Sequence, residues 1–298
     1  MKEEHIDQLL DALLAPAENK PHLMQVDIAT LHPFAGHPYQ VRDDAEMDAL
    51  VESIQTQGIL APLVVRPMDG NEKEYEVISG HRRLHACKKA GITTVPALIY
   101  SFDRDAATIA LVDSNLHREH VLPSEKAFAY KLKMEALKHQ GTSCQVGTKL
   151  RTDEVIADTA GESARQVQRY IRLTNLIPGI LEKVDEGKIA LTPAVELSYL
   201  TESEQANLLE TMESEDCTPS LTQAIQLKQA SLQKKLNMDM IFAILRQPKA
   251  NQQEKISFKV SEIRDYFPKN YTAAQMSKDI LKGLELLKRQ RQRNRDAR

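Results

Sequence analysis

Gly80-His81-Arg82-Arg83 is where this sequence concentrates its anion chemistry. The tetrapeptide follows a segment that reads as a strand (YEVIS) and opens one that reads as a helix (RRLHACKKAG). A helix start points unpaired backbone N–H groups and the positive end of the peptide dipole outward. Gly80 lets the backbone approach a phosphate closely, and Arg82 and Arg83 add charge-assisted donors, so the segment can hold a polyphosphate. A pair of arginines on a solvated helix face is the competing reading. About thirty residues on, Ser114-Asn115-Leu116-His117-Arg118 brings an amide and a guanidinium, ahead of Leu122-Pro123-Ser124-Glu125. By spacing alone these read as a helix, a break and a capped helix.

A second chemistry lies at residues 152–173, which divide into TDEVIADTAG and ESARQVQRYIRL. Gly161 stands where the first helix must stop, and Ser163 where a hydroxyl can cap the second. Ile156 and Ala160 on one helix, with Ala164, Val167 and Ile171 on the other, fall at spacings that give each an apolar side. The opposite side of the second helix carries Arg165, Gln166, Gln168, Arg169 and Arg172, a set without acids whose donors suit guanine, adenine and phosphate. With Ser163 they are the candidate DNA-binding residues of a helix-turn-helix. A helical hairpin with a solvated basic face fits the pattern too.

The elements that must position these residues are of two kinds. From Met24 to Tyr100, VESIQTQGI reads as a helix closed by Gly58, PLVVRP, YEVIS and TTVPALIY as short strands, and RRLHACKKAG as a helix closed by Gly91. Beyond Ala106 almost every periodic segment is helical. The expected fold class is α+β: a small mixed α/β domain over 21–118, an all-α helix-turn-helix domain over 119–235, and a mainly helical region over 236–298. Residues 1–20 carry Ile6, Leu9, Leu10, Leu13 and Leu14 on one helical stripe and form an amphipathic arm.

The whole chain narrows the classes further. Its 298 residues exceed what one core usually serves. The formal net charge of −3 decides nothing, but Lys282 to Arg298 holds seven bases (Lys282, Lys288, Arg289, Arg291, Arg293, Arg295, Arg298) against Glu285 and Asp296. Cys87, Cys144 and Cys217 are scattered without metal-ligand or disulfide spacing, which fits a reducing compartment. The acidic opening MKEEHIDQLLDALL is unlike a signal peptide, and no segment is apolar enough to span a bilayer, so a cytoplasmic protein without membrane contact is expected.

Several blocks, taken in order, resemble the ParB-type chromosome and plasmid partition proteins, a family that includes nucleoid-occlusion relatives. They are HPYQVR at 37–42, SIQTQGILAPLVVRP at 53–67, ISGHRRLHACKKAG at 78–91, SNLHREHVLPSEKAFAY at 114–130, and the helix-turn-helix followed by DEGKIALTPAVELSYL at 185–200. The resemblance implies a dimeric clamp that binds a centromere-like site on double-stranded DNA through the helix-turn-helix. It implies CTP with Mg2+ in the N-terminal domain, a ParA-type ATPase as partner, and association with the nucleoid. By motif position the triphosphate would lie against Gly80, Arg82 and Arg83, with Asn115 and Arg118 contributing.

The sequence departs from the family pattern where a metal is expected. His81 replaces the acid of Gly-Glu-Arg-Arg, Ser114 and His117 replace the acid and amide of Glu-Asn-Leu-Gln-Arg, and Ala61 replaces a glutamine before Pro62. Magnesium prefers hard oxygen ligands, and neither His81 nor Ser114 restores the lost charge; Asp113 is adjacent but points differently on a helix. CTP binding with slow or absent turnover is the expectation, and no catalytic residue is assigned. A nucleoid-occlusion or transcription regulator of the same architecture is the first alternative. An enzyme of the ParB-like fold, a phosphotransferase or nuclease, is the second, although no acidic cluster or nucleophile–base pair stands out. Ile280, Leu281, Leu284 and Leu287 give the last helix an apolar stripe that reads as a dimerising seam, followed by a basic tail for nonspecific DNA contact.

Overall fold

The structure, a computed structural model, describes residues 21–116, 118, 121–140, 151–247, 263–268 and 270–296; the expected arm over 1–20, His117 and Cys144 lie outside the described residues. The first half alternates β1 (His22–Asp27), β2 (Leu31–Pro33), α1 (Ala45–Gln57), β3 (Leu63–Met68), β4 (Asn71–Ser79), α2 (His81–Lys89) and β5 (Thr94–Ile99). The strands form one mixed sheet in the order β1-β5-β3-β4-β2. β1 with β5 and β3 with β4 are antiparallel, whereas β3 with β5 and β2 with β4 are parallel.

Period-two alternation explains how this sheet is covered on both faces. Leu63, Val65 and Val77 pack with Met47 and Ile54 of α1 and Leu84 and Cys87 of α2. Their neighbours Val64, Ile78 and Leu98 pack on the other face with Phe34, Tyr39 and Tyr100. Cys87 is fully buried in the first of these clusters, and burial raises its thiol pKa. β3 also brings in a charge: Arg66 is 1 % exposed and donates to Glu76 across the ladder at 2.8 Å, the pairing that a buried guanidinium requires. The sequence pattern missed β1 and β2. Only Val26 of β1 is buried, so no alternation marks it, and β2 is three residues long.

The helical half runs α3 (Arg104–Leu116), α4 (Pro123–His139), α5 (Thr152–Ala160), α6 (Ala164–Arg172), α7 (Pro178–Asp185), α8 (Leu191–Leu197), α9 (Glu202–Ser214), α10 (Leu221–Leu232) and α11 (Met238–Leu245). α4 is central: it packs against α3, α5, α6 and α7. It also buries Lys133 in an ion pair with Asp113 of α3 at 2.5 Å. Ile180, Leu197, Leu208 and Leu227 make the core of the later helices.

The segment just after residue 235 packs on the helical core. Ile241, Ile244 and Leu245 of α11 are buried in that same core, and the first compact unit runs from Met1 to Gln247, with no division at 118. The polar stretch from Lys228 to Lys235 is consistent with this, since it carries no helix breaker and most of it is the end of α10. The second unit is Pro248–Arg298. There α12 (Ala273–Asp296) buries Met276 and exposes Leu281, Leu284, Leu286 and Leu287. Among the described residues no helix is long and apolar enough to cross a membrane.

Candidate anion cleft and reading helix

The β4-to-α2 corner is set by Gly80, whose φ of +104° is one that side chains rarely adopt. A Cβ there would meet Leu63 at 3.1 Å and the Arg83 guanidinium at 3.2 Å. The corner opens a cleft of about 190 Å³ lined by His37, Tyr39, Gln40, Val41, Gly80, His81, Arg82, Asn115 and Arg118. That is below the ~300–1,000 Å³ usual for whole small-molecule sites, so it suits the phosphate end of a nucleotide. A larger groove of about 650 Å³ lies beside it, between Gln40 and Arg42 on one side and Phe128, Leu181 and Asp185 on the other. Part of its polar wall is committed, because Asp185 accepts from the Ser124 N–H at 2.9 Å and its hydroxyl at 2.5 Å.

Four of the five residues expected at the phosphate line the cleft, and the fifth does not. Arg82 reaches it from α2 while pairing with Glu46 at 3.1 Å and Asp44 at 3.8 Å. Arg118 donates to the Asn115 side-chain oxygen at 3.4 Å and sits 5.9 Å above the Tyr39 ring. Arg83 points elsewhere, donating to the Ala61 and Pro62 carbonyls, which pins the loop before β3. Its place is therefore behind Gly80, as a brace for the corner.

The residues the sequence reading passed over are His37, Tyr39, Gln40 and Glu125. The His37 and His81 rings lie 4.1 Å apart by centroid. Burial, assisted by His37 and Arg118, lowers His81 to about 3, and its Nε2 is buried without a hydrogen-bond partner. Burial also lowers His37, with Glu125 drawing it up and Arg118 pushing it down. Glu125 is 6 % exposed and accepts from the Gln40 N–H at 2.9 Å and the Leu122 N–H at 3.1 Å. It thereby fixes both the HPYQ segment and the start of α4. The block HPYQVR was visible in the sequence, but nothing in its spacing gave it a chemistry.

A polyphosphate fits the N–H groups of a helix start and two guanidiniums, while the Asn115 amide is engaged by the Leu111 carbonyl and Arg118. Magnesium does not. Asp113 is paired with Lys133, Glu125 is bound to two backbone N–H groups, and Asp44 and Glu46 are held by Arg82. No group of three or more His, Cys, Asp or Glu that could hold a metal occurs among the described residues.

The second site is the corner between α5 and α6. Gly161 takes a φ of +65° and ends α5, and the Ser163 hydroxyl accepts from the Gln166 N–H at 3.2 Å to cap α6. Ile156, Ala157 and Val167 pack with Tyr130 of α4, and Ala160, Ala164 and Ile171 lie against them, as the apolar spacing anticipated. Arg165 is exposed and faces outward. Gln168 instead donates to Asp153 at 3.1 Å. Burial works to raise that carboxyl, but the bonds from Gln168 and Arg151 hold it below its ordinary value. Arg169 donates to Gln166 at 3.1 Å and to the Thr192 hydroxyl at 2.5 Å. Arg172 donates to the Ser198 hydroxyl and carbonyl at 3.1 and 3.2 Å, and lies 3.9 Å over the Tyr199 ring, whose ring centroid is also 3.7 Å from the Lys228 ammonium. The six residues thus divide. Arg165 is left exposed, Gln166 and Arg169 are bonded to each other, Ser163 caps the helix start, and Gln168 and Arg172 bond to neighbouring elements.

Comparison with known proteins follows the same outline. A family model described as the ParB N-terminal domain matches residues 15–116. The chain is similar to the probable chromosome 1-partitioning protein ParB of Deinococcus radiodurans, at 32% identity over 65% of this chain and 64% of that protein. It is similar to the nucleoid occlusion protein of Bacillus cytotoxicus at 30% identity, covering 74% of each. Among solved structures it is similar to the C-terminally truncated chromosome-partitioning protein ParB from Caulobacter crescentus complexed with CTP-gamma-S. That match has 25% identity and a TM-score of 0.31, covering 64% of this chain and 99% of that one. The first curated relatives are spanned over 66% and 64% of their length.

Proposed function

Because this chain belongs to the ParB family of partition proteins, we propose that it is a site-specific DNA-binding partition protein that works as a CTP-responsive homodimeric clamp. Residues 163–169 read a centromere-like site in double-stranded DNA, and the Gly80 cleft takes the triphosphate of CTP. A ParA-type ATPase moves the assembled complex, which resides on the nucleoid in the cytoplasm. Within this reading 21–118 serve the nucleotide, 119–247 serve DNA, and the second unit serves dimerisation and nonspecific DNA contact.

The observation that carries the reading is the exposed Arg165 on a capped helix that Arg172 anchors from behind. Arg forks bind guanine O6 and N7 in two parallel bonds, and Gln166 beside it has the donor and acceptor that adenine needs. Among the described residues no carboxylate lines the cleft, which supports the reading of the nucleotide as a ligand with slow or absent turnover.

Genome-wide DNA crosslinking with sequencing tests the proposal. A broad occupied region centred on one site is expected of a spreading clamp. A second reading, regulation or nucleoid occlusion, is favoured by the similarity to the nucleoid occlusion protein over 74% of both chains. Many narrow peaks, or no ParA-type ATPase encoded beside the gene, would turn the conclusion to that reading.

A further inference from the structure

We propose that the Gly80 cleft takes its triphosphate without a divalent cation, the charge being met by Arg82, Arg118 and a proton taken up by the His37–His81 pair. The inference rests on the nucleotide reading above and concerns what neutralises the phosphates.

Hydrogen bonding assigns the tautomers. The Tyr39 N–H donates to His37 Nδ1 at 3.0 Å, so neutral His37 carries its proton on Nε2. His81 bonds to the Val77 backbone, and its Nε2 is the atom without a partner; its proton is therefore on Nδ1 and a bare lone pair remains on Nε2. One ring offers a donor and the other an acceptor, 4.1 Å apart by centroid. The groups that face them are Arg118 beyond α3, Arg82 on α2, Tyr39, and Glu125 at the start of α4. Glu125 is already bound to two backbone N–H groups, and among the described residues no carboxylate lines the cleft.

Here a buried neutral imidazole lines the cleft beside the start of α2. Its lowered proton affinity comes first from burial and then from His37 and Arg118. A polyphosphate reverses the balance, because anionic charge within a few ångströms favours the charged imidazole. One proton comes from solvent to Nε2 of His81, which then donates to a phosphate oxygen; no covalent bond breaks. Arg82 meanwhile exchanges Glu46, a largely exposed partner, for phosphate.

The test is calorimetric titration of the full chain with CTP, with EDTA or magnesium, at about pH 6 and about pH 8, in two buffers of different ionisation enthalpy. Affinity in EDTA within about threefold of that in magnesium, uptake of about one proton, and weaker binding at the higher pH are expected. His81→Gln should abolish the proton uptake, and His81→Glu should make binding depend on magnesium. His37→Gln, expected to keep the Val77 bond of His81, provides a second route if His81 variants fold poorly. A loss of about tenfold or more in EDTA, or pH-independent binding without proton uptake, would overturn the inference. No CTP affinity under any of these conditions would instead remove the nucleotide reading, and this inference with it.

Discussion

Single side chains divide the labour at both sites more finely than their types suggest. Arg165 and Arg172 look alike on a helical wheel, yet one faces solvent and the other donates twice to Ser198 while stacked over an aromatic ring. Arg165→Ala should cost ~1–3 kcal/mol at the specific site and little on random DNA, measured by fluorescence anisotropy. Arg172→Ala should lower thermal stability and weaken binding to every sequence alike. His81 gives a pH prediction whose sign follows from linkage. Its folded pKa of about 3 lies below the ordinary 6.5, so its contribution is intact above about 6.5 and is lost progressively as pH falls toward about 3. Melting temperature without nucleotide should fall over that window, and His81→Gln should flatten the fall. Residue types and motif order were readable here, and Gly80, Arg82, Asn115 and Arg118 do meet in one cleft. The aim of Arg83 and the pairing of His37 with His81 were not readable, because each depends on a partner far along the chain.

Among the elements, the α5–α6 corner was the most legible, since a left-handed glycine, a capping serine and two apolar stripes are all local signals. Gly161→Ala places a side chain at φ +65° and should destabilise the protein by ~1 kcal/mol or somewhat more, and Ser163→Ala should cost ~1 kcal/mol through the lost cap. Chemical denaturation of the two variants checks both values. β1 and β2 were illegible for the opposite reason. Their hydrogen bonds come entirely from β5 and β4, and their own burial pattern carries almost no period.

For the whole molecule, compact packing divides the chain after Gln247. A chain ending at Gln247 retains every core cluster of the first unit, so it should unfold cooperatively in calorimetry. The second unit offers Leu281, Leu284 and Leu287, each at least half exposed, at spacings that share one helical face. Leu284→Glu should shift the full chain from dimer to monomer in sedimentation, if that seam joins two copies. Removing residues from Lys288 onward should shallow the salt dependence of DNA binding and spare site recognition.

α4 has the widest reach of these features. Its first turn holds the HPYQ segment through Glu125 and α7 through Ser124, its middle grips α3 through Lys133, and its Tyr130 lies under the corner that presents Arg165. The Gly80 cleft and the α5–α6 corner are thus mounted on one helix. A substitution along it would therefore be felt at both ends.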